Sequence, residues 1–190
     1  MKYCSIDIET TGLIVDECDI IEFGAVLDDL SVVAPIDELP VFHCYFRKEY
    51  YQGSPYALSM HPKIFRRIAE KEGLYNYYHA EKFGYKFKQF LMQNGYEEDS
   101  GRVYINAAGK NFGAFDLQFL DRKTDLNKHV KISHRILDPG SMYAEITDTR
   151  VPGTEECLRK AGFEPNVTHE AVDDALDVVK LIRHHFGISM

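Results

Sequence analysis

The chain has 190 residues and a formal net charge of −8. That length suits one domain, 1–190, with a full core, and the charge argues against a protein that grips long duplex nucleic acid through a broad basic face. Four cysteines (Cys4, Cys18, Cys44, Cys157) form no CxxC pair, no apolar run approaches membrane-spanning length, and Met1-Lys2 leads straight into a strand. The expectation is a cytoplasmic protein with reduced, buried thiols and no membrane partner.

Lys2 to Ile8 reads as the first strand and runs into Glu9. Asp7 and Glu9 are two residues apart, so they point to the same face at the end of an apolar strand. Two such charges repel and resist desolvation, and a divalent cation offsets both penalties. The competing reading is the solvated face of an edge strand. Thr10-Thr11-Gly12-Leu13 follows as a turn, with Gly12 free to take a positive φ and bring the backbone close to whatever the carboxylates hold. Asp19 to Leu27 and Pro40 to Arg47 are two more strands, joined by the polar segment Asp28 to Leu39, and the three suggest an antiparallel meander. Glu22, inside the second strand, is expected to face solvent or a strand edge.

From Pro55 the spacing becomes helical. Leu58, Ile64, Phe65 and Ile68 share a face, and Pro62 restarts the helix. Phe83, Phe87, Phe90 and Leu91 fit a second amphipathic helix ending near Asn94-Gly95. The tyrosine-rich stretch Tyr75 to Tyr85 reads as packing rather than a base-stacking platform.

Val103 to Ala108 is a buried strand, Gly109 to Gly113 a loop, and Ala114 to Leu120 a helix with Asp116 near its start. A carboxylate there also suits the helix dipole without any further role. Ser133 to Leu137 is a further strand that ends at the turn Asp138-Pro139-Gly140, and Pro152 to Gly162 a short helix. The last helix runs from Asn166 to His185, burying Ala171, Ala175, Val178, Val179 and Ile182. Asp174 lies beside that stripe in helical phase, and His169 falls at the exposed helix start.

Taken together, Asp-x-Glu-Thr-Thr-Gly-Leu early, Phe-Asp-Leu-Gln-Phe-Leu in the middle and His-x-Ala-x-x-Asp-Ala late resemble the DEDDh group of 3′→5′ exonucleases. That group lies within the ribonuclease H-like superfamily and includes proofreading exonuclease subunits, oligoribonuclease and ribonuclease T. The resemblance runs from Asp7 to Asp174, but the segment between the third strand and Val103 matches no part of the pattern. It implies an α/β fold: a five-stranded mixed sheet of order 3-2-1-4-5, strand 2 antiparallel, flanked by helices. By position, the metal-binding carboxylates are Asp7, Glu9, Asp116 and Asp174, and the histidine is His169. Asp173 is the adjacent competitor for the last metal position, which the His-x-Ala-x-x-Asp frame gives to Asp174.

The implied chemistry is phosphodiester hydrolysis at the 3′ end of a single strand or short oligonucleotide, releasing nucleoside 5′-monophosphates. Two divalent cations, Mg²⁺ or Mn²⁺, clamp the attacking and leaving oxygens, and His169 takes the proton of the nucleophilic water. The turn Thr10, Thr11, Gly12 and Leu13 is expected at the terminal nucleotide, with backbone groups of Thr10 and Thr11 on the 3′-hydroxyl or base and Leu13 as an apolar wedge. Phe112 or Phe115 is a candidate for base stacking. Lys110 and Asn111 replace the His-Asn pair of many relatives, where they would meet a phosphate and the substrate backbone. Several relatives form dimers, so a homodimer is also implied. The alternative is a catalytically silent module of this fold that binds 3′ ends or a protein partner.

Overall fold

The computed structural model describes residues 1–165 and 168–189. Its strands are β1 (Lys2–Thr10), β2 (Ile20–Asp29), β3 (Val41–Phe46), β4 (Asn76–Tyr78), β5 (Glu98–Asp99), β6 (Arg102–Ile105), β7 (Ala107–Ala108) and β8 (Val130–Ile132). Its helices are α1 (Pro55–Met60), α2 (Pro62–Glu70), α3 (Ala80–Gln93), α4 (Asp116–Lys123), α5 (Leu126–His129), α6 (Pro139–Met142), α7 (Thr154–Lys160) and α8 (Ala171–His185). The expected helix start at Asn166-Val167 lies outside the described residues.

The main sheet is mixed and five-stranded, in the order β4-β3-β2-β1-β7. The meander β1-β2-β3 is antiparallel, while β7 joins β1 and β4 joins β3 in parallel. A second sheet, β5-β6-β8, stands beside it. Residues on β2 are buried almost end to end because helices cover both faces. On one face Phe23 packs edge-on against Phe83 and Phe87 of α3, with ring centroids 4.7 and 5.0 Å apart. On the other face Tyr3 and Val26 meet Ala175, Val178, Val179 and Ile182 of α8.

Three sequence expectations change here. The buried strand expected over Val103–Ala108 breaks at Asn106. Its carbonyl accepts the Cys4 N–H at 2.8 Å and its side chain reaches the Lys2 carbonyl at 3.1 Å, so only Ala107 and Ala108 pair with β1. The expected strand Ser133–Leu137 shrinks to a single bridge between Leu137 and Ala108, because the Ser133 hydroxyl accepts the Arg135 N–H and turns the chain. The order 3-2-1-4 therefore stands, but the fifth strand is β4, on the far edge of β3.

Glu22 is the third correction. It is fully buried rather than facing solvent or an edge. One carboxylate oxygen lies 2.6 Å from His43 Nε2, and the other accepts the Ala171 N–H, at the start of α8, at 3.1 Å. At the far end of α8, Arg183 forms a two-pronged pair with Asp28 at 2.6 and 3.0 Å, and Tyr3 donates to the same carboxylate at 2.8 Å. The helix is thus fixed to β2 at both ends.

Candidate active site

Alternation along β1 turns Tyr3, Ser5, Asp7 and Glu9 toward α8. Ser5 marks the contact, its hydroxyl donating to the Ala175 carbonyl at 2.8 Å. One residue earlier on α8, Asp174 comes within reach of Glu9. Asp7 pairs across the hairpin with Gly24, and Glu9 with Glu22. A Cβ on Gly24 would lie 2.5 Å from the Ala171 carbonyl carbon, so the bare glycine is what lets the start of α8 settle on β2. Asp116, the first residue of α4, approaches from the other side and is 4% exposed.

The electrostatics show how closely these acids crowd. Burial, then the charges of Asp116, Asp174, Glu9 and Glu22, hold the Asp7 carboxyl well above the usual range. Burial, with Asp174, Glu22 and Asp116 behind it, pushes Glu9 up to about 8. Asp116 is raised to about 7, chiefly by burial. Asp174 is raised to about 6 by burial and Asp177, against the opposing pull of His169.

Donor atoms of Glu9, Asp174 and His169 all lie within 4.8 Å of one another. Oxygen-rich donors whose own charges repel suit a hard divalent cation, so the residues fit one. The contribution of these acids to the metal-free fold is complete below about pH 4, the ordinary carboxylate range, and is lost as the pH rises through about 6 to about 8. Added Mg²⁺ or Mn²⁺ relieves the repulsion that causes the loss. The rise in Tm on adding metal should therefore be larger at pH 8 than at pH 5 in differential scanning fluorimetry, and equal rises would contradict this origin.

His169 is exposed and has φ +50°, one residue before Glu170, the N-cap of α8. It opens onto a cleft of about 530 Å³ that Asp7, Asp174, Lys110, Arg150 and Arg159 also line. Arg150 is paired with Glu156 at 3.0 Å and Arg159 with Glu155 at 2.6 Å, so much of the positive charge on this wall is matched. Asp173 is exposed to solvent, whereas Asp174 faces the cluster.

The expected substrate contacts divide. Leu13 projects from its turn, 82% exposed. Gly12 has φ +154°, and a Cβ there would sit 2.6 Å from Cys18 Sγ. Thr11 is spent inside the protein: its N–H donates to the Asp19 carbonyl and its carbonyl accepts the Ser54 N–H, each at 2.9 Å, while its hydroxyl bonds the Gln52 carbonyl. The backbone of Thr11 is therefore not open to a nucleotide. Thr10 is buried, its hydroxyl donating to the Gly12 carbonyl at 2.8 Å. Phe112 is fully buried in the core, which removes it as a stacking surface, and Phe115 packs half-buried on Phe119 with centroids 5.1 Å apart. Lys110 lines the cleft, and the Asn111 N–H is held by Asp138 at 2.9 Å.

Two residues that carried no expected role stand at this site. His61, 5% exposed, places Nε2 3.5 Å from Glu9 Oε2. Burial, aided by His169, holds its ring below the usual imidazole value. Glu22 is the other, through its hold on Ala171. It had a signal: a charge inside the apolar run Ile20 to Val26, two residues before a strand-interior glycine.

A mixed sheet whose first strand carries two acids, met by a third at the start of one helix and a fourth in the first turn of another, defines a ribonuclease H-like protein. The RNase_T exonuclease family model matches residues 4–182, and the chain belongs to that family, among exonucleases of the DEDD type. Such enzymes are nucleic-acid hydrolases, typically dependent on divalent metal, and the donors of Glu9, His169 and Asp174 are spaced to fit one. No curated protein matches the chain. Among the described residues no helix is long and apolar enough to cross a membrane.

Proposed function

We propose that the protein is a 3′→5′ exonuclease that removes nucleoside 5′-monophosphates from single-stranded RNA, DNA or short oligonucleotides. The observation that carries this reading is the convergence of Asp7, Glu9, Asp116 and Asp174, from three separate stretches of chain, on a cleft that His169 borders. Asp7, Glu9, Asp116 and Asp174 would hold two Mg²⁺ or Mn²⁺ ions, which when bound would supply Lewis-acid stabilisation to the attacking and departing oxygens. His169 accepts the proton of the attacking water. The water oxygen bonds to phosphorus, the P–O3′ bond breaks, and the shortened strand leaves with a 3′-hydroxyl. Leu13, exposed on the turn that follows Glu9, presses on the terminal base, and Lys110, which lines the cleft, meets a backbone phosphate. The charge of −8 and the matched arginines of the cleft favour short single strands over long duplexes.

The test is incubation with 5′-labelled single-stranded RNA and DNA of several lengths, with Mn²⁺ and with chelator. Stepwise shortening from the 3′ end, present with Mn²⁺ and abolished by chelator, is expected. Intact strands under every condition would overturn the reading in favour of a binding module, and release of the label as a mononucleotide without labelled intermediates would reverse the polarity.

A further inference from the structure

The helical segment after β3, which matched no part of the family pattern, touches the active site from behind. Lys63 of α2 is ion-paired with Glu170, and Arg67, one turn on, reaches the same carboxylate at 3.3 Å. Arg67 is itself held: 7% exposed, it donates to the Tyr45 hydroxyl at 2.6 Å and lies over the Tyr75 ring at 4.6 Å. Glu170 directly follows His169, and the next N–H, that of Ala171, is taken by buried Glu22. The chain leaving His169 is thus fixed at two successive residues. His169 sits in the left-handed region, which a non-glycine residue keeps only where its neighbours hold it. The same helix begins after His61, whose ring abuts Glu9.

We infer that α2 is a brace for the active site, with Lys63 and Arg67 acting through Glu170 as positioning residues for His169. This rests on the reading of His169 as the proton acceptor. A side chain held from one side only on an exposed turn samples many positions, and a displacement of about 1 Å costs on the order of 100-fold in rate. The brace narrows that sampling without touching substrate.

The experiment uses Lys63→Met, Glu170→Gln and the double variant, with Lys63→Arg as the conservative control. Lys63 is largely exposed, so its removal leaves the fold intact. Each single variant should lower kcat about 10- to 100-fold, with KM and Mn²⁺ affinity near wild type. The double variant should be no worse than Glu170→Gln, since both act through one carboxylate, and Lys63→Arg should retain activity. Amide hydrogen exchange at Ala171 and Val172 should speed up in Lys63→Met. Unchanged kcat in Lys63→Met and Glu170→Gln overturns the brace, and if His169→Ala still abolishes turnover the nuclease reading survives that failure. Should the wild type cleave nothing, the exchange measurement decides the brace alone: faster exchange supports it and unchanged exchange overturns it.

Discussion

Asp7→Asn is expected to lower turnover by about 10³-fold or more, taking the loss of one preorganised electrostatic contact as the floor, and at the same time to stabilise the metal-free protein. The two effects share a cause. Asp7 is the most crowded acid of the cluster, its carboxyl held high by burial and by Asp116, Asp174, Glu9 and Glu22 together. An amide keeps the side chain's shape and removes its charge. Without metal near pH 8, that relieves repulsion with four neighbours, and each kcal/mol so gained raises Tm by about 2–4 °C in a chain of this size. With metal, the same change removes a carboxylate proposed as a cation ligand, so the added Mn²⁺ should raise Tm far less than in the wild type. Activity assays and fluorimetry with Mn²⁺ or chelator read all three effects. A variant with wild-type turnover, or one that melts below the wild type in chelator, would contradict this account.

Gly24→Ala should be nearly as damaging, although Gly24 bears no chemistry. A methyl group there would meet the Ala171 carbonyl carbon and the Val172 nitrogen, each at 2.5 Å, and the Ala171 carbonyl oxygen at 2.6 Å. These are backbone atoms of the first turn of α8 and have no rotamer to give. The helix start must lift from β2, carrying Asp174 and the His169 turn away from Asp7 and Glu9 and loosening the bond from the Ala171 N–H to Glu22. Overpacking of this kind costs about 1–3 kcal/mol of stability, and an ångström of displacement at the acids about 100-fold in kcat. Urea unfolding gives the first quantity and single-turnover cleavage the second. Wild-type kcat in a folded Gly24→Ala protein would show that the register of α8 on β2 does not set the site.

These two residues mark where the sequence was and was not legible. Asp7 and Glu9 announced themselves because two charges on one face of an apolar strand need an explanation that local structure does not supply. Asp174 and His169 gained theirs from helical phase and from order along the chain. The meander and the helices of Phe83–Leu91 and Ala171–Ile182 were equally plain, since their apolar spacing is the spacing of the element. Glu22 looked like an ordinary strand charge because its partner at Ala171 is 149 residues distant. The end of the strand at Asn106 and the loss of the one at Ser133 turned on single side chains that bond the backbone, a competition that apolar pattern does not register. Phe112 misled for the opposite reason. A loop aromatic next to a candidate site invites a stacking role, yet the turn that follows Lys110 rolls it into the core.

The central claim is that four acids from distant parts of the chain share divalent cations at the end of β1. Anomalous diffraction from crystals grown with Mn²⁺ and a nucleoside 5′-monophosphate tests it most directly. The account predicts two manganese peaks among Asp7, Glu9, Asp116 and Asp174, with the nucleotide phosphate against them. A nucleotide bound in the cleft with no manganese beside those four residues would contradict it.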